Sequence, residues 1–202
     1  MNKTRHSAFS LALVSCAALA LAGCGMYHNP TAMGTAPAVA VTSQTTSMAA
    51  GPSAMQLSAA DLQFVAVAAG AGMYEVEAGR VAASRASDTH VRAYAQMLVD
   101  DHTANNRELM SLVRAKGHSL APGLPPSLQQ KVSTLSGLSG QGLDREFVRT
   151  TGVQDHRAAI NAFEQGRRSV TDRDLQAYID KTLPVLRQHL RDAETLAGTM
   201  AG

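Results

Sequence analysis

Four side chains able to bind a metal ion occupy positions where the pattern of an amphipathic helix calls for apolar residues. They are Glu75, His102, His156 and His189. Because apolar residues spaced three and four apart flank each of them, each is predicted to point into a helical core. A buried carboxylate or imidazole destabilises a fold by several kcal/mol unless it is hydrogen-bonded, paired with a charge or bound to a metal. The presence of four such residues, each predicted to face inward, indicates a polar site inside the protein.

Two kinds of site fit these four residues. Two or three imidazoles and one carboxylate would suit a single ion such as zinc, copper or iron. The alternative is a Glu-His-His hydrogen-bond network that fixes how the helices align. Asp100 and Asp101 point about 100° apart on a helix, which argues against a paired acid-base role. Asp101 is expected to orient a histidine from behind the site or to cap a polar contact. No residue is predicted to be catalytic.

The heights of the four residues along antiparallel helices predict which of them meet. His102 lies about 15 residues before the predicted end of its helix and His156 about 14 after the predicted start of the next, so at roughly 1.5 Å per residue the two share a level. By the same count Glu75 lies several residues lower and His189 several residues higher. The count therefore predicts a His102–His156 pair, with the other two residues displaced from it.

The first two elements that must position these side chains are long helices with clear end signals. Ser58, followed three residues later by Asp61, resembles a capped start, and the apolar spacing continues to about Arg85. Asp88 is suited to cap the second helix, and Gly117 to end it. The short connection between the two predicts an antiparallel hairpin.

The second half of the chain repeats this arrangement. A Pro-rich connection leads to a short helix predicted at 127–135, and a third long helix is predicted at about 143–168. The fourth begins near Thr171 or Asp172 and contains Pro184, which is expected to bend it. No alternating strand pattern follows the first 57 residues. The prediction is an all-α fold, an antiparallel four-helix bundle with a short extra helix between helices two and three.

The start of the chain has the pattern of a bacterial lipoprotein signal. Lys3 and Arg5 precede an apolar run over 9–22, and Leu-Ala-Gly then leads to Cys24. The run is shorter than the roughly 20 residues that a membrane-spanning helix needs. We therefore expect cleavage before Cys24, lipidation of that cysteine and attachment to a membrane through the lipid.

These observations divide the chain into three parts. Residues 1–23 are predicted to be the signal peptide, 24–57 an uncharged flexible tether, and 58–202 the helical domain. Gly25, in place of an aspartate after the lipidated cysteine, favours the outer membrane. The predicted location is the bacterial envelope, with the domain facing the periplasm.

Charge and composition exclude several classes of function. The chain has 18 Lys+Arg and 16 Asp+Glu, and the predicted signal peptide holds two of the basic residues, so the remainder is neutral overall. A neutral domain with few aromatic residues lacks the basic face that nucleic acids require. No Gly-rich loop follows a strand, which argues against nucleotide binding. Both cysteines lie in the first 24 residues, so no disulfide is expected in the domain.

Several segments resemble the DUF4142 family of exported bacterial proteins. They are 72–77 (GMYEVE), 97–103 (MLVDDHT) and 183–190 (LPVLRQHL), together with His156 in its helix, and the resemblance extends over about 62–196. It implies a ferritin-like helical bundle. The family has no known function, so the resemblance implies no activity.

Spacing argues against a ferritin-type di-iron centre. Such centres use a Glu three residues before a His on two of their helices. The residues three positions before His102, His156 and His189 are Val, Val and Leu. The missing glutamates argue against ferroxidase or oxygenase activity.

The sequence as a whole leaves three hypotheses for the function. They are a structural or interaction role in the envelope, with a link to stress; binding of a single metal ion in the periplasm; and a metal-dependent redox enzyme.

Overall fold

The computed structural model describes residues 56–200, of which 85% are helical and none is in a strand. The predicted all-α class is confirmed for this part of the chain. The predicted signal peptide, nearly all of the predicted tether and Cys24 lie outside the described residues. The elements are α1 (Ala59–Arg85), α2 (Thr89–Ala115), α3 (Pro126–Ser136), α4 (Gly140–Phe147), a π-helical segment (Val148–Asp155), α5 (His156–Ser169) and α6 (Arg173–Met200).

Side-chain caps fix the helix starts where the sequence predicts them. The Ser58 backbone N–H donates to the Asp61 carboxylate at 2.8 Å, and the Asp61 N–H donates to the Ser58 hydroxyl at 3.2 Å. Asp88 accepts from the second and third backbone N–H groups of α2, and Asp172 accepts from the Leu175 N–H at 3.1 Å. These carboxylates satisfy amide groups that have no partner inside the helix.

The third long helix differs from its prediction. It begins at Gly140, and its middle is the π-helical segment Val148–Asp155, so α4, this segment and α5 form one continuous rod. A π turn closes each hydrogen bond over one residue more than an α turn. Gly152 lies in this segment against α6, where an added Cβ would lie 2.8 Å from the Ala193 Cβ. The predicted regular helix over 143–168 is therefore wrong in its interior.

The apolar core consists of two clusters, with the four polar residues near the boundary between them. Along α2, His102 lies between Leu98 of one cluster and Leu109 of the other. Along α6, His189 lies between Leu186 and Ala193 in the same way. Two apolar cores thus enclose one polar layer.

Helix pairing brings the polar layer together. α1 packs along α2, to which a three-residue connection joins it, and α5 packs along α6. α6 also contacts α2 and the π-helical segment. None of the described helices is both long enough and apolar enough to cross a lipid bilayer.

Candidate metal centre

Three imidazole rings meet in the interior of the described domain. His102 comes from α2, His156 is the first residue of α5, and His189 comes from α6. The ring centroids lie 5.3 to 5.6 Å apart, and the three residues are at most 3% exposed. One ring nitrogen from each residue lies within 4.8 Å of the other two. This spacing would allow all three to contact one ion.

Glu75 lies in the same layer. Its Oε2 is 3.2 Å from His102 Nδ1 and its Oε1 is 3.6 Å from His156 Nδ1, and the residue is 2% exposed. All four residues therefore share one level, and the predicted displacement of Glu75 and His189 is wrong. Glu75 and His189 lie on α1 and α6, which are regular α-helices, so the error is in the estimated heights of these two residues and not in the π-helical segment.

Hydrogen bonds on the outer side of two rings fix which nitrogen carries the proton. His156 Nδ1 is 2.8 Å from the Thr151 carbonyl oxygen, and His189 Nε2 is 2.9 Å from Asp101 Oδ2. A carbonyl and a carboxylate oxygen only accept, so both of these nitrogens must donate. In the neutral rings the lone pairs then lie on His156 Nε2 and His189 Nδ1.

Those two nitrogens face each other across 3.3 Å. Two acceptors at this distance cannot form a hydrogen bond, so the contact needs a proton or a cation. Burial lowers the pKa of His156 to about 4, which opposes an extra proton on that ring at neutral pH. When both rings are neutral, the pair presents two free lone pairs to the interior.

His102 and Glu75 complete the layer. His102 Nε2 and Glu75 Oε1 are buried and have no hydrogen-bond partner among the described residues. Burial raises the pKa of Glu75 to about 8 and lowers that of His102 well below its usual range. When His102 Nδ1–H donates to Glu75 Oε2, the lone pair of His102 Nε2 is free. Each of the three rings then donates through one nitrogen to an outer oxygen and carries a free lone pair on the other. A cation beside His102 would favour this form, with Glu75 ionised.

The outer partners resemble the support that metal-binding histidines receive. Such histidines almost always donate their second N–H to a carboxylate or a backbone carbonyl, which fixes the ring and its tautomer. Here the three outer oxygens come from Glu75, Thr151 and Asp101. Three imidazoles with one open coordination position form the ligand set of one class of zinc site.

A small cavity with a few polar groups in its lining adjoins the layer. It has a volume of about 10 Å³, and its lining includes Glu75, His102, Asn106 and Thr182. This volume is close to the minimum that holds one water molecule. The Thr182 hydroxyl is buried without a partner in the described part of the chain, so it is available to bind a water there. The cavity could supply a fourth, non-protein ligand.

Sequence reasoning did not identify two residues that support the rings. Thr151 accepts from His156 through its backbone, and its hydroxyl lies 3.0 Å from the Tyr74 hydroxyl. Tyr94 donates to the His189 carbonyl oxygen at 3.1 Å. The Thr-Thr-Gly run at 150–152 lies inside a predicted helix and indicates an irregular turn. It was the sequence signal that could have pointed to the contact between Thr151 and His156.

Comparison with known protein families gives one match. Residues 46–196 match the model described as "Domain of unknown function (DUF4142)". The chain belongs to this family. The DUF4142 match begins ten residues before the described part of the chain and includes all four residues of the polar layer. Searches among curated proteins and among solved structures find no match.

Because the DUF4142 description assigns no function, the chemistry must be argued from this chain. In the described part, Glu75 and Asp101 are the only carboxylates within 4 Å of the three ring systems. Two irons need about four carboxylates and two histidines. The layer fits one ion better than two.

Proposed function

We propose that this protein binds a single transition-metal ion through His102 Nε2, His156 Nε2 and His189 Nδ1. The observation that carries the proposal is the 3.3 Å contact between His156 Nε2 and His189 Nδ1, whose outer partners leave both atoms as acceptors. A purely hydrogen-bonded network would place a donor at one of these positions. A cation turns the same contact into two coordinate bonds.

Neutral nitrogen ligands limit which ion binds. Imidazole suits zinc, copper and iron, whereas magnesium and calcium prefer oxygen ligands. Three imidazoles and a water are a known zinc ligand set, so Zn²⁺ is the ion that we expect first. The low pKa values of His102 and His156 help, because neither ring carries a second proton near neutral pH that would repel the ion.

The fold and the location belong to the same proposal. Pairing of α1 with α2 and of α5 with α6 supports an antiparallel, ferritin-like four-helix bundle around the ion. The lipoprotein signal that ends at Cys24 supports attachment to the envelope through lipid, with the domain in the periplasm. The protein would then hold its ion outside the cytoplasm.

Metal content and thermal stability test the proposal together. Protein purified without a histidine tag should contain about one zinc, copper or iron per chain, and after metal removal zinc should raise its melting temperature. A ligand at about a hundred times its Kd adds about 2.7 kcal/mol to stability, because it binds only the folded state. His156→Ala should abolish this gain, whereas His90→Ala, on the exposed start of α2, should keep it.

The opposite result identifies the alternative. Metal binding would be refuted if the purified protein contained no metal and its melting temperature did not change when zinc, copper or iron was added. The polar layer would then have a structural role, and His156→Ala should lower the stability of the protein without any added ion.

A further inference from the structure

A cleft on the α1–α2 side of the domain has the size of a small-molecule site. Its volume is about 670 Å³, within the roughly 300 to 1,000 Å³ typical of ligand pockets. Met73 and Val76 of α1, Leu109 of α2, and Leu120 and Leu124 of the following connection contribute to its walls. Most of the lining is apolar.

The connection between α2 and α3 explains why the cleft stays open. Pro122 and Pro125 lack a backbone N–H, and Gly123 has a φ of 86°, so α2 does not continue through this stretch, and α3 begins only at Pro126. It passes beside the two helices and forms one wall of the cleft. Met110, on the α2 side, keeps 43% of its surface exposed.

The charges at the cleft are not balanced. Glu77 and Arg80 form an ion pair with each other, with Arg80 Nη1 2.6 Å from Glu77 Oε1. Arg107 also lines the cleft. It makes no ion pair or side-chain hydrogen bond with any residue in the described range. One unpaired guanidinium thus stands beside an apolar surface.

We infer that the cleft binds an amphipathic monoanion, namely a single-chain fatty carboxylate. The apolar walls would cover the hydrocarbon chain, and Arg107 would bind the carboxylate with two parallel hydrogen bonds. This site is separate from the buried imidazoles, so the inference does not depend on metal binding.

Ligands that share one tail and differ in headgroup test the inference on the intact protein. Laurate, dodecanol and dodecyltrimethylammonium are titrated by calorimetry below their micelle concentrations. We expect laurate to bind one to one, dodecanol more weakly and the cation most weakly. Arg107→Gln should weaken laurate binding about tenfold, as loss of one charged hydrogen-bond partner predicts. The same variant should leave the affinity for dodecanol unchanged.

Two further variants separate binding from folding. Arg168→Gln, an exposed arginine of α5 outside the cleft, is the matched control and should bind laurate like the wild type. Val76→Asp should abolish binding of all three ligands, with circular dichroism showing whether the helices are intact. Leu124→Asp repeats this test with the same charge in the connection, where no helix can be disrupted, and the same loss of binding is expected.

Several results would overturn the inference. They are no laurate binding by the wild type, equal affinity for laurate and the cation, or full laurate affinity in Arg107→Gln. A ratio of one laurate to two chains would contradict a site formed within one chain. Binding to phosphatidylglycerol vesicles without binding of free laurate would assign the surface to a membrane.

Discussion

Replacing Asp101 by alanine should weaken metal binding without weakening the metal-free fold. Asp101 accepts the His189 Nε2 proton and thereby keeps the Nδ1 lone pair directed at His156. Without this acceptor, the His189 proton can move to Nδ1 and donate to His156 Nε2 across the existing 3.3 Å contact. The metal-free protein gains a hydrogen bond between the rings, and the ion loses a ready ligand.

The magnitude follows from the position of Asp101. Loss of an outer partner of a metal-binding histidine typically reduces affinity 10- to 100-fold, which corresponds to about 1.4 to 2.8 kcal/mol. The Asp101 side chain is 47% exposed, so water can replace part of its effect and we expect the lower end, about tenfold. The gain of a ring-to-ring hydrogen bond in the metal-free protein is about 1 kcal/mol.

Competition with a zinc-chelating dye measures the affinity, and urea unfolding of metal-free protein measures the stability. Asp100→Ala is the matched control. It is the neighbouring helical position with the same change in helix propensity, and among the described side chains its carboxylate accepts a hydrogen bond only from the exposed Gln96. Unchanged zinc affinity in Asp101→Ala, combined with a loss of more than about 1 kcal/mol in the metal-free protein, would refute the tautomer argument.

Three further predictions concern the pH response, the anchor and the domain. The contribution of His156 to the stability of the metal-free protein should be lost as the pH falls from 6.5 towards 4, because the unfolded chain takes up a proton that buried His156 takes up only near pH 4; the fall in stability measured by urea unfolding should therefore be smaller in His156→Gln than in the wild type over this range. Cys24→Ala should move the protein from the membrane to the soluble fraction or block its processing, and sedimentation with membranes would contradict lipidation. A chain starting at Met55 should melt like the full chain, since 24–54 is expected to be a tether, and a large loss of cooperativity would contradict this.

Local sequence signals predicted most of the fold because they act through neighbouring residues. The Ser58–Asp61 capping box and the Asp88 cap need only contacts within one turn, so they can be identified from spacing. Three- and four-residue periodicity likewise indicated that His102 and His189 face inward, because burial on a helix depends on angle around its axis.

The geometry of the site needed information that spacing does not contain. Heights along the helices depend on every start point and on the length of every connection, which spacing alone gives only approximately, so the levels of Glu75 and His189 were misplaced. The acceptor for His156 is a backbone carbonyl, which every residue has, so no side-chain pattern marks it. The pairing of His189 with Asp101 joins residues 88 positions apart.

The π-helical segment Val148–Asp155 also makes chain length a determinant of the site. Successive residues of an α-helix are rotated by about 100°, so a one-residue deletion between Phe147 and His156 that leaves the remaining π-helical turns in place would turn α4 by close to that angle relative to α5. Either the apolar face of α4, with Leu143 and Phe147, or the ring of His156 would then leave the interior. The number of residues in this segment, more than their chemical identity, keeps the apolar core and the imidazole layer on the same side of one rod.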